Sequence, residues 1–384
     1  MEKSALKGMG LHRFGFNVLG GIVLAAVLCV GCTDTPVPPS EQASGVWQLV
    51  EELRLGAVDG SGPEIFGRIV GLQVDRNDRI YVLDALASEI RIFDRDGRHV
   101  RNVARPGKGP GELATPMGLA LDPSGNLWVP DLGNARYAVF DSEGELLDHV
   151  SRQPTVGFTF WPGTIDQAGI IWDADRVRGA MGEQFLLRVS PSGEVQDTVR
   201  LPVYGMRTYN FESPAVRMFA AVPYSSTLLW TIAHDGSVWL GMTGEYRLFK
   251  TIAVADTVLS IEGEYAPIPI SEEERAEALE NDPGASRIRE LGGRTDPDLM
   301  PVHKPAFTKL AVARDGAVWV WRSAPDSVAP LIDIFSSDGQ ALGSALAPDG
   351  LADAPRPIIY DDYLVAVTID DLGVPHVTRF RIER

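Results

Sequence analysis

One stretch of this chain occurs twice. Residues 60–97 and 107–144 align without a gap at a constant offset of 47. Gly60 falls on Gly107, Gly62-Pro63 on Gly109-Pro110, Gly71-Leu72 on Gly118-Leu119, Asp75 on Asp122 and Asp84 on Asp131. Phe93-Asp94 falls on Phe140-Asp141 and Gly97 on Gly144. A fixed period of this size means one supersecondary unit used repeatedly, each unit burying its apolar face on the next.

Within a unit the apolar residues come in short alternating runs. Leu119 and Leu121 lead into the turn Asp122-Pro123-Ser124-Gly125-Asn126, and Leu127-Trp128-Val129 follows. Proline presets φ and Gly or Asn accepts positive φ, so this is a strand, a tight turn and a strand. Tyr137, Val139 and Phe140 form a third strand, Asp141-Ser142-Glu143-Gly144 a turn, and Leu146, Leu147 and Val150 a fourth strand. Four antiparallel strands in roughly 40–50 residues make one propeller blade.

The signature returns along the chain. A third unit starts near Trp161, with Ile170-Ile171-Trp172 after its turn and Asp175 on Asp131 at an offset of 44. The fourth starts near Thr227 and carries His234 to Leu240; the fifth, Phe307 to Leu346, carries Arg314 to Val320. The sixth, Ile358 to Ile382, is short. Ahead of all of them Trp47, Leu49, Leu53 and Leu55 alternate as a half-buried strand does. The expected fold is therefore all-β: a six-bladed β-propeller of four-stranded antiparallel blades, closed by the N-terminal strand. Trp128, Trp172, Trp239 and Trp319, with Tyr81, share one position in the repeat and are expected to pack between blades. Residues 271–291 depart from the pattern. Ser271 and Glu274 form a capping box ahead of a helix-forming run to Leu279, and Asp282-Pro283-Gly284 reads as its stop. This predicts a small helical insertion between blades four and five.

The start of the chain reads as an address. Lys3, Lys7 and Arg13 precede an apolar run over residues 14–31 that ends in Leu28-Cys29-Val30-Gly31-Cys32. A positive n-region and a short h-region are a signal-peptide pattern. The small residue before Cys32 resembles the bacterial lipobox, which implies cleavage after Gly31 and lipidation of Cys32. Residues 33–45, polar and Pro-rich, read as an extended tether. Thr33 is not acidic, which resembles outer-membrane rather than inner-membrane lipoproteins; in a Gram-negative host the expected place is the periplasmic face of the outer membrane.

Both cysteines lie in this leader, so the remainder has no thiol chemistry. The formal charge of −17 becomes −19 without the leader's three bases and one acid, which disfavours nucleic acid.

The pattern DxxGxLWVxD with its outer hairpin, Asp122 to Asp131 and Ala135 to Gly144, echoed at Asp75 to Gly97, resembles six-bladed propellers of the NHL-repeat and TolB-like type. Gly107 to Leu113 resembles a linker of bacterial propeller lipoproteins of unassigned function. The resemblance fixes a fold and leaves activity open.

Gluconolactonase- and paraoxonase-type propellers hold Ca²⁺ in the central channel with oxygen ligands. Asp84, Asp131 and Asp175 are repeat-equivalent and are the candidate metal set here. The competing reading is that each Asp caps its own hairpin. The fourth and fifth units carry Met242 and Arg322 at that position, so the ring is incomplete. Propeller lyases rely on His, and His99, His149, His234, His303 and His376 show no ligand spacing. No nucleophile elbow is present, and Pro110 rules out a phosphate loop at Gly107 to Gly111. No catalytic residue is named on these grounds. The longest excursions are Val203 to Tyr224 and Gly263 to Pro305. The first carries Tyr204, Arg207, Tyr209, Phe211, Arg217 and Tyr224, a mixture suited either to recognition or to packing the insertion. The expected role is a monomeric, membrane-anchored binding or scaffolding module for an envelope protein, peptide or glycan. The alternative is a Ca²⁺-dependent hydrolase or lyase with its site in the channel.

Overall fold

A computed structural model describes residues 45–152, 161, 163–176, 183–252, 256–325 and 328–384, all within one compact unit. Cys32 and residues 33–44 lie outside the described residues.

Each repeat folds as an antiparallel meander. The first blade is Ile69–Val74, Ile80–Asp84, Glu89–Phe93 and His99–Val103. The second is Ala120–Leu121, Leu127–Asp131, Arg136–Phe140 and Leu146–Ser151. Thr164–Ile165, Ile171–Arg176, Gln184–Val189 and Val195–Arg200 form the third. Leu228–Ile232, Val238–Met242, Arg247–Ile252 and Asp256–Glu262 form the fourth, and Phe307–Val312, Val318–Arg322, Leu331–Phe335 and Ala341–Leu346 the fifth. The sixth has Ile358–Ile359, Tyr363–Ile369 and Pro375–Glu383 of its own. Its fourth strand is Val46–Leu55, which pairs antiparallel from Gln48↔Glu383 to Leu55↔Val377. Val46 and Trp47 also pair in parallel with Ser344 and Ala345, fusing blades five and six into one eight-stranded sheet. First strands touch between blades one and two, two and three, four and five, and six and one, which places them around a common axis. The fold is a six-bladed β-propeller.

The shared aromatic position explains what holds the blades together. Tyr81 packs with Leu119, Leu127 and Val129 of the next blade, Trp172 with Leu228, Ile232 and Val238, and Trp239 with Phe307 and Leu310. Burying one such side chain contributes about 3 kcal/mol. The repeat also supplies a polar partner. The first residue of the turn between the first two strands accepts from the aromatic six positions on. Tyr81 Oη donates to Asp75 Oδ2 (3.0 Å), Trp128 Nε1 to Asp122 Oδ2 (3.0 Å) and Trp172 Nε1 to Asp166 Oδ2 (2.9 Å). The same carboxylates accept two backbone N–H groups of their turns, such as Ser124 and Asn126 on Asp122. In the fourth blade this turn residue is Ala233, and the buried Trp239 Nε1 has no partner among the described residues.

The insertion contains two helices, α1 (Glu272–Asn281) and α2 (Pro283–Glu290). Ser271 and Glu274 make the expected capping box. Asp282-Pro283 does more than stop α1. Asp282 caps α2 by accepting from Ala285 N, and Pro283 sits in its first turn, where a missing N–H goes unnoticed. The excursion at 203–224, read as a loop, holds a hairpin of Thr208–Glu212 with Arg217–Ala221. Tyr209, Ala220, Val222, Ala285, Ile288 and Met300 give hairpin and helices a small core of their own.

Candidate functional site

The repeat carboxylates act on the backbone. Asp84 accepts from Gly67 N (2.8 Å), Arg68 N (3.0 Å) and Leu86 N (3.0 Å), and Arg91 Nη2 stands 3.4 Å away. Burial pushes its carboxyl up, but the N–H groups of Gly67, Arg68, Ala87 and Leu86 together hold it below the ordinary range. Asp131 accepts from Ala114 N (3.1 Å), Thr115 N (2.8 Å) and Asn134 Nδ2 (2.5 Å). Both residues therefore pin the connection entering a blade to its second strand. A hard cation needs six or more oxygen ligands, and the lone pairs of Asp84 and Asp131 already face N–H donors, so these two do not fit that role in this arrangement. Asp175 lies on the second strand of blade three, opposite Phe185. Among the described residues no three His, Cys, Asp or Glu side chains gather as a metal-holding group.

The aromatics of the 203–224 excursion turn mostly inward. Tyr209 is buried and donates to Asp296 O (3.0 Å); Phe211 and Tyr224 pack on the insertion core, and Tyr204 on the core between blades three and four. Arg207 and Arg217 are exposed, the first donating to Leu299 O (3.1 Å), the second paired with Glu212 (2.5 Å). Lys304, 6% exposed, ties the insertion down: its Nζ reaches Glu274 Oε1 (2.8 Å) and Ala324 O (3.2 Å). Lys304, and then the Ser271 N–H, hold the Glu274 carboxyl down at about 2.

The channel at the ring axis is narrow. A cavity of about 120 Å³ opens at the end formed by the turns between first and second strands, and every blade lines it, through Gln73, Asp122, Thr164, His234, Arg314 and Ile358. Deeper in, a space of about 50 Å³ is bordered by Trp161 and Arg356. Arg356 crosses from the sixth blade to the fourth, donating to Trp230 O (2.6 Å) with its guanidinium 5.2 Å from the Trp230 ring. Desolvation pulls this guanidinium down to about 10, so it stays charged at neutral pH.

A ring of variable chemistry surrounds this mouth. The second residue of each turn is Arg76, Pro123, Gln167, His234 and Arg314 in blades one to five. Backbone and side-chain bonds between blades fix their places: Arg76 Nη2 donates to Pro123 O (3.1 Å), Gln167 N to His234 O (2.9 Å) and Arg314 N to Ile359 O (2.9 Å). The Arg314 guanidinium lies 5.7 Å from the Tyr360 ring. Tyr360 in turn donates to Val74 O (2.8 Å) and stacks on Tyr363 at 4.8 Å. Sequence reasoning passed over Arg76, Arg314 and Arg356; it placed His234 in a turn, where the structure has it, without seeing that the turn lies at the mouth. The signal was available in the column of the repeat where the residue changes from blade to blade.

Residues 65–216 match the family model DUF5128, described as a 6-bladed beta-propeller. No curated protein matches the chain. Among solved structures, a Bacteroides fragilis protein described as exported is 11% identical, with a TM-score of 0.49 over 89% of this chain and 98% of its own. Virginiamycin B lyase from Staphylococcus aureus is 11% identical, with a TM-score of 0.39 over 82% of this chain and 94% of its own. Regucalcin from Agrobacterium tumefaciens, described as a calcium-binding protein, is 14% identical, with a TM-score of 0.39 over 88% of this chain and 96% of its own. None of these likenesses bears on activity.

Proposed function

We propose that this chain is a binding or scaffolding module of the bacterial cell envelope, held there through Cys32, with blades of the NHL-repeat and TolB-like kind. The observation that carries the binding reading is the turn-end mouth, where a rigid frame brings polar side chains of several blades to one concave spot, with Arg356 bridging to Trp230 O beneath it. The basic start, the apolar run and the small residue before Cys32 support the envelope address. Among the described residues no helix is long and apolar enough to cross a membrane. A protein, peptide or glycan partner fits such a face.

The test is surface plasmon resonance of the immobilised protein against peptides and envelope saccharide fragments, beside a lactone-hydrolysis screen with and without EDTA. Saturable binding with no turnover is expected. Chelator-sensitive turnover without a bound partner would replace this reading with the channel-hydrolase alternative. Anchoring is checked separately by fatty-acid labelling, which Cys32→Ala should abolish.

A further inference from the structure

The turn-end mouth has a charge pattern at odds with the chain as a whole. In a protein of net charge −17, His234 and Arg314 line this cavity, and Arg76 is exposed at the equivalent turn position of the first blade; the sixth blade carries the exposed Asp361 there. Neither the Arg314 guanidinium nor the His234 imidazole makes a hydrogen bond to the protein among the described residues, and Arg76 gives Nη2 to Pro123 O. Four acids of these turns are already engaged. Asp122 accepts from Ser124 N, Asn126 N, Asn126 Nδ2 and Trp128 Nε1; Asp166 accepts from Ala168 N, Ile170 N and Trp172 Nε1. Asp75 takes Asn77 N, Arg79 N, Arg79 Nε and Tyr81 Oη, and Asp235 takes the N–H and hydroxyl of Ser237. These four carboxylates thus point into their own turns. The donors left over at the mouth belong to the cations.

From this placement we infer that the turn-end mouth of the channel is an oxyanion site, taking one carboxylate or phosphate group with Arg314 and His234 as its donors and Arg76 as a cation at its rim. The inference rests on the binding reading and names the chemistry of what is bound. Two guanidiniums are suited to planar and tetrahedral oxyanions, since their N–H groups pair with two oxygens at once. Arg314 is oriented for this by Tyr360, and its backbone is fixed to the sixth blade. A space of about 120 Å³ holds an anionic headgroup with a few waters, each needing about 30 Å³, and the space below it, bordered by Arg356 and Trp161, is smaller still at about 50 Å³. The group is therefore a free oxyanion or the acidic end of a larger saccharide that stays outside. Gln73 lines the same cavity, but its amide is directed across the blades to Leu119 O (3.2 Å).

His234 makes the site sensitive to pH. Burial, and then Arg314 and Arg76, lower its pKa, while Asp166 and Asp235 pull it up. The imidazole is therefore mostly neutral at pH 7, and an anion beside it favours the protonated form. Binding of a carboxylate that stays ionised throughout, such as trigalacturonate, should tighten as pH falls from 7.5 to 5.5.

The experiment is calorimetric titration of the full chain, in detergent at low ionic strength, with inorganic phosphate and separately with trigalacturonate. One saturable site is expected, weakened about tenfold by Arg314→Ala and again by Arg76→Ala, and screened by salt. Arg314→Lys keeps the charge and should restore part of the loss, which a merely structural role for the side chain would not produce. His234→Gln should flatten the pH dependence. Phosphate binding alone assigns the site to a free ion; tighter binding of the saccharide assigns it to a saccharide end group. Wild-type binding no stronger than that of the Arg76→Ala/Arg314→Ala variant, with melting temperatures matched, overturns the inference. If that variant still binds a partner from the resonance panel at full strength, the oxyanion site falls while the binding-module reading stands.

Discussion

The carboxylate–aromatic lock of the third blade makes a quantitative prediction. Asp166, 4% exposed, accepts from Trp172 Nε1 and from the backbone of Ala168 and Ile170, and Trp172 is 2% exposed. Asp166→Ala leaves a buried indole N–H without an acceptor, at about 1–3 kcal/mol. It also undoes the turn's own bonds, at about 1 kcal/mol, a small figure because Ala168 is exposed and rehydrates. The expected loss is about 3 kcal/mol. For roughly 340 folded residues the unfolding entropy is about 0.7 kcal/mol per kelvin, so the melting temperature should fall about 4 °C. The assay is calorimetric melting of the wild type, Asp166→Ala, Trp172→Phe and the double variant. If the lock is a hydrogen bond, the cycle closes with a coupling of at least about 1 kcal/mol. A loss below about 0.5 kcal/mol, or strictly additive variants, would show that the turn Asp holds nothing. The fourth blade supplies the contrast, since Ala233 already leaves Trp239 without this partner.

Three further outcomes follow from described geometry. Burial raises the Asp75 carboxyl, yet hydrogen bonds from Arg79, Asn77 and Tyr81 leave it below its ordinary value. Its contribution is therefore present above about pH 4, the unfolded value, and is lost as pH falls through the lower folded value; denaturant midpoints at pH 6, 4 and 3 should drop, and Asp75→Asn should drop less. Glu274→Gln should loosen the start of α1, so limited proteolysis should cut between 272 and 290 while the blades resist; uniform resistance would show that the Lys304 contact is dispensable. Deleting residues through Leu55 removes the closing strand with its buried Trp47 and Leu55, about 5 kcal/mol of burial, and bares the Pro375–Glu383 edge; size-exclusion chromatography should show aggregate in place of monomer.

What could be read in the sequence was whatever the chain repeats. The offset of 47 located the first two blades because Gly and Asp recur where the backbone needs positive φ or a capped N–H. The alternation of Trp47, Leu49, Leu53 and Leu55 marked the closing strand, and Ser271 with Glu274 marked α1. Features made once stayed hidden. The hairpin at 208–221 turns through Ser213-Pro214-Ala215-Val216, without the Asn-Gly signal of a tight turn, and its aromatics face helices some 70 residues away in sequence. Pro283 read as a stop because a helix end and a helix start use the same residues. The mouth cations were missed for the opposite reason: they occupy a repeat position at which no residue type recurs consistently, so no motif announces them, and their only signal is that this column varies between blades.

The pairing of Gln48 with Glu383 has a consequence for the order of events during folding. Among the earliest described residues is the strand that completes the last blade, so it has to wait, unpaired, until almost all of the chain has been made. At about 5–20 residues per second that interval is on the order of tens of seconds. Throughout it the earlier blades can form from contacts local in sequence, while an open arc presents two raw strand edges to its surroundings. Ring closure is the slow, non-local step, and a second copy of Val46–Leu55 supplied by a neighbouring molecule competes for the same edge. Variants that weaken this strand should therefore raise the yield of domain-swapped oligomers during synthesis more than they lower the stability of rings already closed.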